Sequence, residues 1–319
     1  MVNYSDRVKA VIMGHAVADA LGVPVEFNSR MELDQNPVSD MMGYGTYCLP
    51  EGCWSDDTSM SIATLDSLAE GRVDFEDIMD KLCLWYTKHE YTPMGNRFDV
   101  GNICAEAITN YIKGVRPATR CGLDGTYSNG NGSLMRIHPF VLYAFVKGIG
   151  FDEWIDIVAQ GSCLTHSHER SEIGCGIFSF VLMRLLENPD KSVVYKALSE
   201  AEEFYKKHEE IEPYKRLLSP AFDKTDRNEI KSSGYIVDSL EAAIWCLLTT
   251  DNYRDCVLKA VNLGEDTDTV AAIAGALAGA LYGYDDIPKK WILTLKRWDY
   301  LEEMCDRATS VWLKKAANT

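Results

Sequence analysis

Val270-Ala-Ala-Ile-Ala-Gly-Ala-Leu-Ala-Gly-Ala-Leu281 is a run of small apolar residues, and Gly264-Glu265-Asp266-Thr267-Asp268-Thr269 stands directly before it. A helix of that composition is apolar all round and lets neighbouring backbones come close, so it reads as the centre of a packed bundle. Asp266, Asp268 and Thr269 arrive at its first turn with spacing i, i+2, i+3. Carboxylates there suit the positive end of the helix dipole. Acids beside so apolar a helix are nevertheless costly to bury alone. A hard divalent cation with oxygen ligands answers that difficulty.

A second stretch has the same design. Trp54-Ser55-Asp56-Asp57-Thr58 precedes a helical pattern with apolar residues at Ile62, Leu65, Leu68 and Ala69. Capping alone accounts for either cluster, because Ser, Thr and Asp are the preferred N-cap residues. A cap needs one such residue, however, and each cluster offers three. Two oxygen-rich clusters that meet in the fold would make a two-metal site.

Outward from these stretches, the pattern predicts helices throughout. Ser5-Asp6 caps a first helix to about Leu21, and an irregular stretch follows to residue 54. Further helices read at about 59–70, 75–89, 101–113, 134–148, 152–162, 169–187, 191–208, 236–249, 252–262, 269–282 and 295–316, with Pro288 capping a short piece. Residues 209–233 are polar and weakly periodic and read as a surface excursion. Alternating strand patterns, Pro/Gly/Ser linkers and repeats are absent. The expectation is one all-α domain over 1–319, a compact orthogonal multi-helix bundle with a dinuclear metal site at its centre.

A formal charge of −16 argues against a nucleic-acid or anionic-membrane partner, since both need basic patches. The ten cysteines contain no C-x2-C pair and several fall at apolar helix positions, which fits reduced thiols and a cytoplasmic protein. Met1-Val-Asn-Tyr-Ser-Asp-Arg7 has no apolar signal core, and the run 270–281 is shorter than the roughly 20 residues that cross a bilayer. A soluble monomer is the expectation.

Gly14-His-Ala-Val-Ala-Asp-Ala-Leu-Gly-Val-Pro-Val-Glu26, Trp54-Ser-Asp-Asp-Thr58, Asn131-Gly-Ser-Leu-Met-Arg136, Leu164-Thr-His166 and Gly264-Glu-Asp-Thr-Asp-Thr269 occur in this order. Together they resemble the ADP-ribosylglycohydrolase family, over about residues 8 to 295. The resemblance implies two Mg²⁺ or Mn²⁺ ions held by Ser55, Asp56, Asp57, Asp266, Asp268 and Thr269. Ser55 departs from the threonine common in the family, but it keeps the hydroxyl. Arg97-Phe98-Asp99-Val100-Gly101-Asn102 is similar to the branch that frees arginine on dinitrogenase reductase, which implies a catalytic Asp99 and a substrate contact at Asn102. Glu26 matches a position that other branches use near the metals.

Asn129-Gly130-Asn131-Gly132-Ser133 is tolerant of positive φ and could cradle a phosphate through backbone N–H groups. The resemblance lays Gly130, Asn131, Gly132 and Ser133 along the diphosphate and distal ribose of ADP-ribose. It also implies nucleotide contacts from His166, with His168 a weaker candidate, and a pocket-lining Tyr235. Arg136 reads as a buried ion-pair partner for the acids. The implied activity is hydrolysis of the N-glycosidic bond between ADP-ribose and arginine on a modified protein. Other readings are a serine or O-acetyl-ADP-ribose linkage, a non-catalytic crystallin-like member, and a dinuclear phosphoesterase, which would call for histidine ligands and a more basic pocket.

Overall fold

A computed structural model describes residues 3–314. Its helices are α1 (Tyr4–Gly22), α2 (Arg30–Gln35), α3 (Asp56–Leu68), α4 (Phe75–Lys88), α5 (Asn102–Ile112), α6 (His138–Lys147) and α7 (Phe151–Cys163). They continue as α8 (Glu169–Glu187), α9 (Ser192–Tyr205), α10 (Ile236–Leu248), α11 (Tyr253–Val261), α12 (Thr267–Tyr282), α13 (Lys289–Thr294) and α14 (Trp298–Trp312). Among the described residues there are isolated bridges but no strand, in keeping with the all-α expectation.

The chain is built round α12, buried from Thr267 to Ala280, and α1, buried almost throughout from Val8. The two lie backbone against backbone. A Cβ on Gly275 would come within 2.5 Å of the Ala18 Cβ and closer still to the Gly14 carbonyl oxygen; one on Gly279 would overlap the Ala10 carbonyl. Glycine is required at these crossings because nothing larger fits. One apolar cluster then extends from Val8 to Trp312. Tyr4–Val25 is long and apolar enough to cross a membrane, but 94% of its window is buried inside the protein, so that surface is covered by neighbouring helices.

Several boundaries differ from the sequence reading, each for a local reason. Asn3 rather than Ser5-Asp6 caps α1, accepting from the Asp6 N–H at 3.4 Å. α3 starts at Asp56, with Ser55 as its cap, because the acids sit inside the first turn rather than before it. The expected helix over 134–148 is split into a 3₁₀ turn, Leu134–Arg136, and α6, whose second residue Pro139 is tolerated only in a first turn. Within the supposedly irregular 22–54, Ser29 and Glu32 form a capping box that starts α2. α14 starts at Trp298, after Arg297 at φ 53°; residues 315–316 of the expected last helix lie outside the described residues. Residues 209–233 are more than a surface excursion, because Ile211, Tyr214, Leu217, Phe222 and Ile230 are buried in the core.

Candidate active site

The first turns of α3 and α12 meet the C-terminal end of α1 inside the bundle. Ser55 caps α3 by accepting the Asp57 N–H at 3.2 Å, which aims Asp56 and Asp57 inward. At α12, the Asp268 carboxylate accepts the Thr269 N–H at 2.9 Å, and the Thr269 hydroxyl donates to Asp57 Oδ1 at 3.3 Å across the two helices. Gly22 lets α1 abut the Asp268 backbone, since a Cβ there would overlap it. The two sequence clusters therefore converge.

They converge as two carboxylate triads that share one member. Asp19, Asp57 and Asp268 each offer an oxygen within 4.8 Å of the others, and so do Glu26, Asp266 and Asp268. Asp57 Oδ2 and Asp268 Oδ2 are buried with no hydrogen-bond partner. Orphaned anionic oxygens in a dry interior are strongly disfavoured, and a divalent cation with oxygen ligands fits them. Burial, then the surrounding negative charges, pushes the Asp56, Asp57 and Asp268 carboxyls well above the usual range. Burial also raises Asp266, against the pull of a 2.7 Å hydrogen bond from Asn131 Nδ2.

Asp19 was quoted in the first motif but not assigned a role by the sequence reading. It accepts the Ser55 N–H at 2.9 Å, the Thr58 N–H at 3.1 Å and the Thr58 hydroxyl at 2.6 Å. These bonds oppose a burial that lifts it to about 7. With both oxygens engaged, Asp19 acts chiefly by tying α1 to the start of α3. An aspartate inside an otherwise apolar helix was the available signal.

Beside the acids opens a pocket of about 390 Å³, lined among others by Glu26, Asp56, Asp99, Asn102, Gly130, Asn131, Gly132, His166, Asp266 and Thr269. That volume falls in the range of small-molecule sites. Asp99, at φ 48°, is raised first by burial and then by the charge of Asp266. Glu26 rises to about 8, through burial and then the Asp99 charge, although the Tyr47 hydroxyl donates to it at 2.6 Å. Tyr47 comes from the irregular stretch and carried no sequence signal.

The loop over 129–133 differs from the expectation. None of its residues has positive φ, and the Asn131 N–H is taken by the Gly234 carbonyl at 3.0 Å, so it is not an open nest of donors. Gly132 serves close approach instead, since a Cβ there would sit 2.7 Å from Cys104 Sγ and 3.0 Å from His166 Cε1. Ser133 lies below the pocket, bonded to Ser162 at 3.0 Å. Tyr235 is not among the lining residues; its backbone bridges Gly130, while its ring faces Arg170. His168 caps α8 and is likewise outside the pocket. Arg136 makes no ion pair with the acids among the described residues. It donates to the Gly161 carbonyl at 3.1 Å and to Thr165 Oγ1 at 2.7 Å, and Thr165 in turn contacts His166 Nδ1 at 2.9 Å. Burial and the Arg136 charge push His166 down to about 3, so it is neutral.

A sequence model of the ADP-ribosylglycohydrolase family matches residues 1–318. The ADP-ribosylarginine hydrolase Tri1 of Serratia proteamaculans is 34% identical over 95% of this chain and 78% of its own. The ADP-ribosyl-[dinitrogen reductase] glycohydrolase of Rhodospirillum rubrum is 33% identical over 91% of this chain and 90% of its own. A solved structure described as an ADP-ribosylglycohydrolase-related protein complex superposes with a TM-score of 0.81 at 26% identity, covering 98% of this chain and 99% of that one. With its paired acid clusters under a small-molecule pocket, this chain belongs to the ADP-ribosylglycohydrolase family.

Proposed function

We propose that this protein hydrolyses the N-glycosidic bond between ADP-ribose and an arginine guanidinium on a modified protein, and that it needs two divalent cations, Mg²⁺ or Mn²⁺. The observation that carries the metal requirement is the pair of triads joined at Asp268, with its orphaned Asp57 and Asp268 oxygens. The arginine linkage is supported by the relatives named for it, at 34% and 33% identity. The ten free thiols, most of them buried, support a reducing, cytoplasmic setting.

Ser55, Asp56, Asp57, Asp266, Asp268 and Thr269 would hold the ions. When bound, they supply Lewis-acid polarisation of the distal ribose hydroxyls and a more acidic water. Asp99 holds or accepts a proton at the anomeric centre, and burial raises its carboxyl above the usual carboxylate range. Tyr47 fixes the Glu26 carboxyl beside it. Elsewhere, Thr165 accepts from Arg136 and can donate to His166 Nδ1, which leaves the imidazole proton on Nε2 as a donor to the diphosphate. Asn131 orders Asp266 and so ties the loop to the acids.

The test is release of ADP-ribose from arginine-, serine- and glutamate-linked substrates by the purified chain, each with Mg²⁺ or Mn²⁺. Release from the arginine substrate, abolished by EDTA, is expected. Release only from serine or glutamate, or undiminished release in EDTA, would overturn the reading.

A further inference from the structure

Phe27 is disfavoured twice where it stands. Its φ is 67°, a conformation suited to glycine or asparagine, and its ring is 69% exposed. It gains nothing from the core, yet it is held firmly. Its N–H donates to the Glu265 carbonyl at 2.7 Å, and the Glu265 N–H returns to the Asn28 carbonyl at 2.8 Å. Next along, Arg30 donates to the carbonyls of Leu263 at 2.8 Å, Arg227 at 2.7 Å and Ile230 at 2.6 Å. The lip that presents Phe27 is thus stitched to the loop that opens α12. An exposed aromatic fixed in a strained conformation at the edge of a site points to a contact with a ligand.

Its position says which part of the ligand. Phe27 lines the same pocket as Asp99 and Glu26, its neighbour in the chain. Of the parts of the proposed substrate, the leaving group is the cationic one and suits the company of those carboxyl groups. A guanidinium is planar, cationic and weakly hydrated, and it stacks on aromatic faces. The carboxyl groups of Glu26 and Asp99 offer hydrogen-bond acceptors for its N–H groups in the same pocket. We propose that Phe27 is the specificity residue for the leaving group, a platform on which the guanidinium of the modified arginine stacks. This rests on the arginine reading above.

The experiment compares Phe27→Leu, Phe27→Tyr and Phe27→Trp for kcat/KM on ADP-ribosylarginine and for inhibition by free ADP-ribose, which lacks the guanidinium. Loss of the aromatic face in Phe27→Leu should lower kcat/KM by about 2- to 30-fold, the range for a cation over an aromatic ring. The inhibition constant for ADP-ribose should hold within about 2-fold, and Tyr and Trp should restore turnover. If the wild type cleaves the arginine linkage and Phe27→Leu matches it, Phe27 is not the platform although the arginine reading stands. If Phe27→Leu weakens ADP-ribose to the same degree, the ring serves the nucleotide and the proposal fails. If the wild type does not cleave the arginine linkage at all, the underlying reading fails first.

Discussion

Gly275→Ala tests the idea that the site depends on backbone-to-backbone contact between α1 and α12. The new Cβ would lie 2.5 Å from Ala18 Cβ and closer to the Gly14 carbonyl oxygen, while Gly14 itself has no Cβ to spare because one would sit 2.5 Å from the Gly275 oxygen. Neither obstructing atom can rotate away, so the helices must part by about 1 Å to reach ordinary contact. Overpacking of this kind costs about 1–3 kcal/mol, and the rigid neighbours favour the upper end. Alanine returns up to about 1 kcal/mol of helix propensity. The net loss is about 2 kcal/mol, or a fall of about 3 °C in Tm by thermal unfolding. Gly150→Ala is the control, since nothing lies within 4 Å of its Cβ and its φ is −66°.

The same substitution should also reach the chemistry. Ala18 adjoins Asp19, and Gly275 lies two helical turns from Asp268, so parting the helices shifts the two triads relative to one another. A displacement of about 1 Å in positioned groups can lower kcat/KM by about 10²-fold. A variant with unchanged Tm and full turnover would refute the close-contact reasoning.

Asp99→Asn should lower kcat by about 10²–10⁴-fold, the usual worth of general acid–base catalysis, with little change in ADP-ribose affinity; near-normal kcat would shift the role to Glu26. Asp268→Asn removes the charge common to both triads, so elemental analysis should find less than half the bound metal, and turnover should be abolished. For the metal-free protein, Glu26 at about 8 and Asp19 at about 7 lie above their ordinary 4.5 and 3.8, so the folded chain binds more protons than the unfolded one. Its stability should therefore fall as pH rises from about 4 to 8, and saturating Mg²⁺ or Mn²⁺ should flatten that slope. A Tm in EDTA that rises over the same window would contradict the assignment.

What the sequence made legible was local. Asp56-Asp57 and Asp266–Thr269 could be placed at helix starts because caps and first turns are written in adjacent residues, and the small-residue run marked α12 as central because only close neighbours make such a run useful. What stayed hidden depends on tertiary contacts. Asp19 takes its meaning from N–H groups 36 and 39 residues away, and Tyr47 from its approach to Glu26 across an irregular stretch. The Gly/Asn run at 129–133 suggested a flexible anion nest, yet its backbone is drawn straight against Gly234 and Asn129 is paired with Ile236. Arg136 looked like a counter-charge because it is basic and near acids in the motif order; its guanidinium instead orients Thr165 and, through it, His166.

The close helix contact and the acid cluster oppose each other energetically. Glycine at the α1–α12 crossing brings Asp19 and Asp268 together without solvent between them, and the same dryness raises every carboxyl in the group. Lone buried carboxylates would favour opening the helices, so the geometry that defines the triads is also the one least stable without a counter-charge. A protonated cluster relieves that repulsion at low pH, and a bound divalent cation would relieve it at neutral pH. Arg136 does not provide the relief: it makes no ion pair with the acids among the described residues, and its hydrogen bonds run from one nitrogen to Gly161 and Thr165. On the proposed reading, a bound divalent cation supplies the positive charge that this interior lacks.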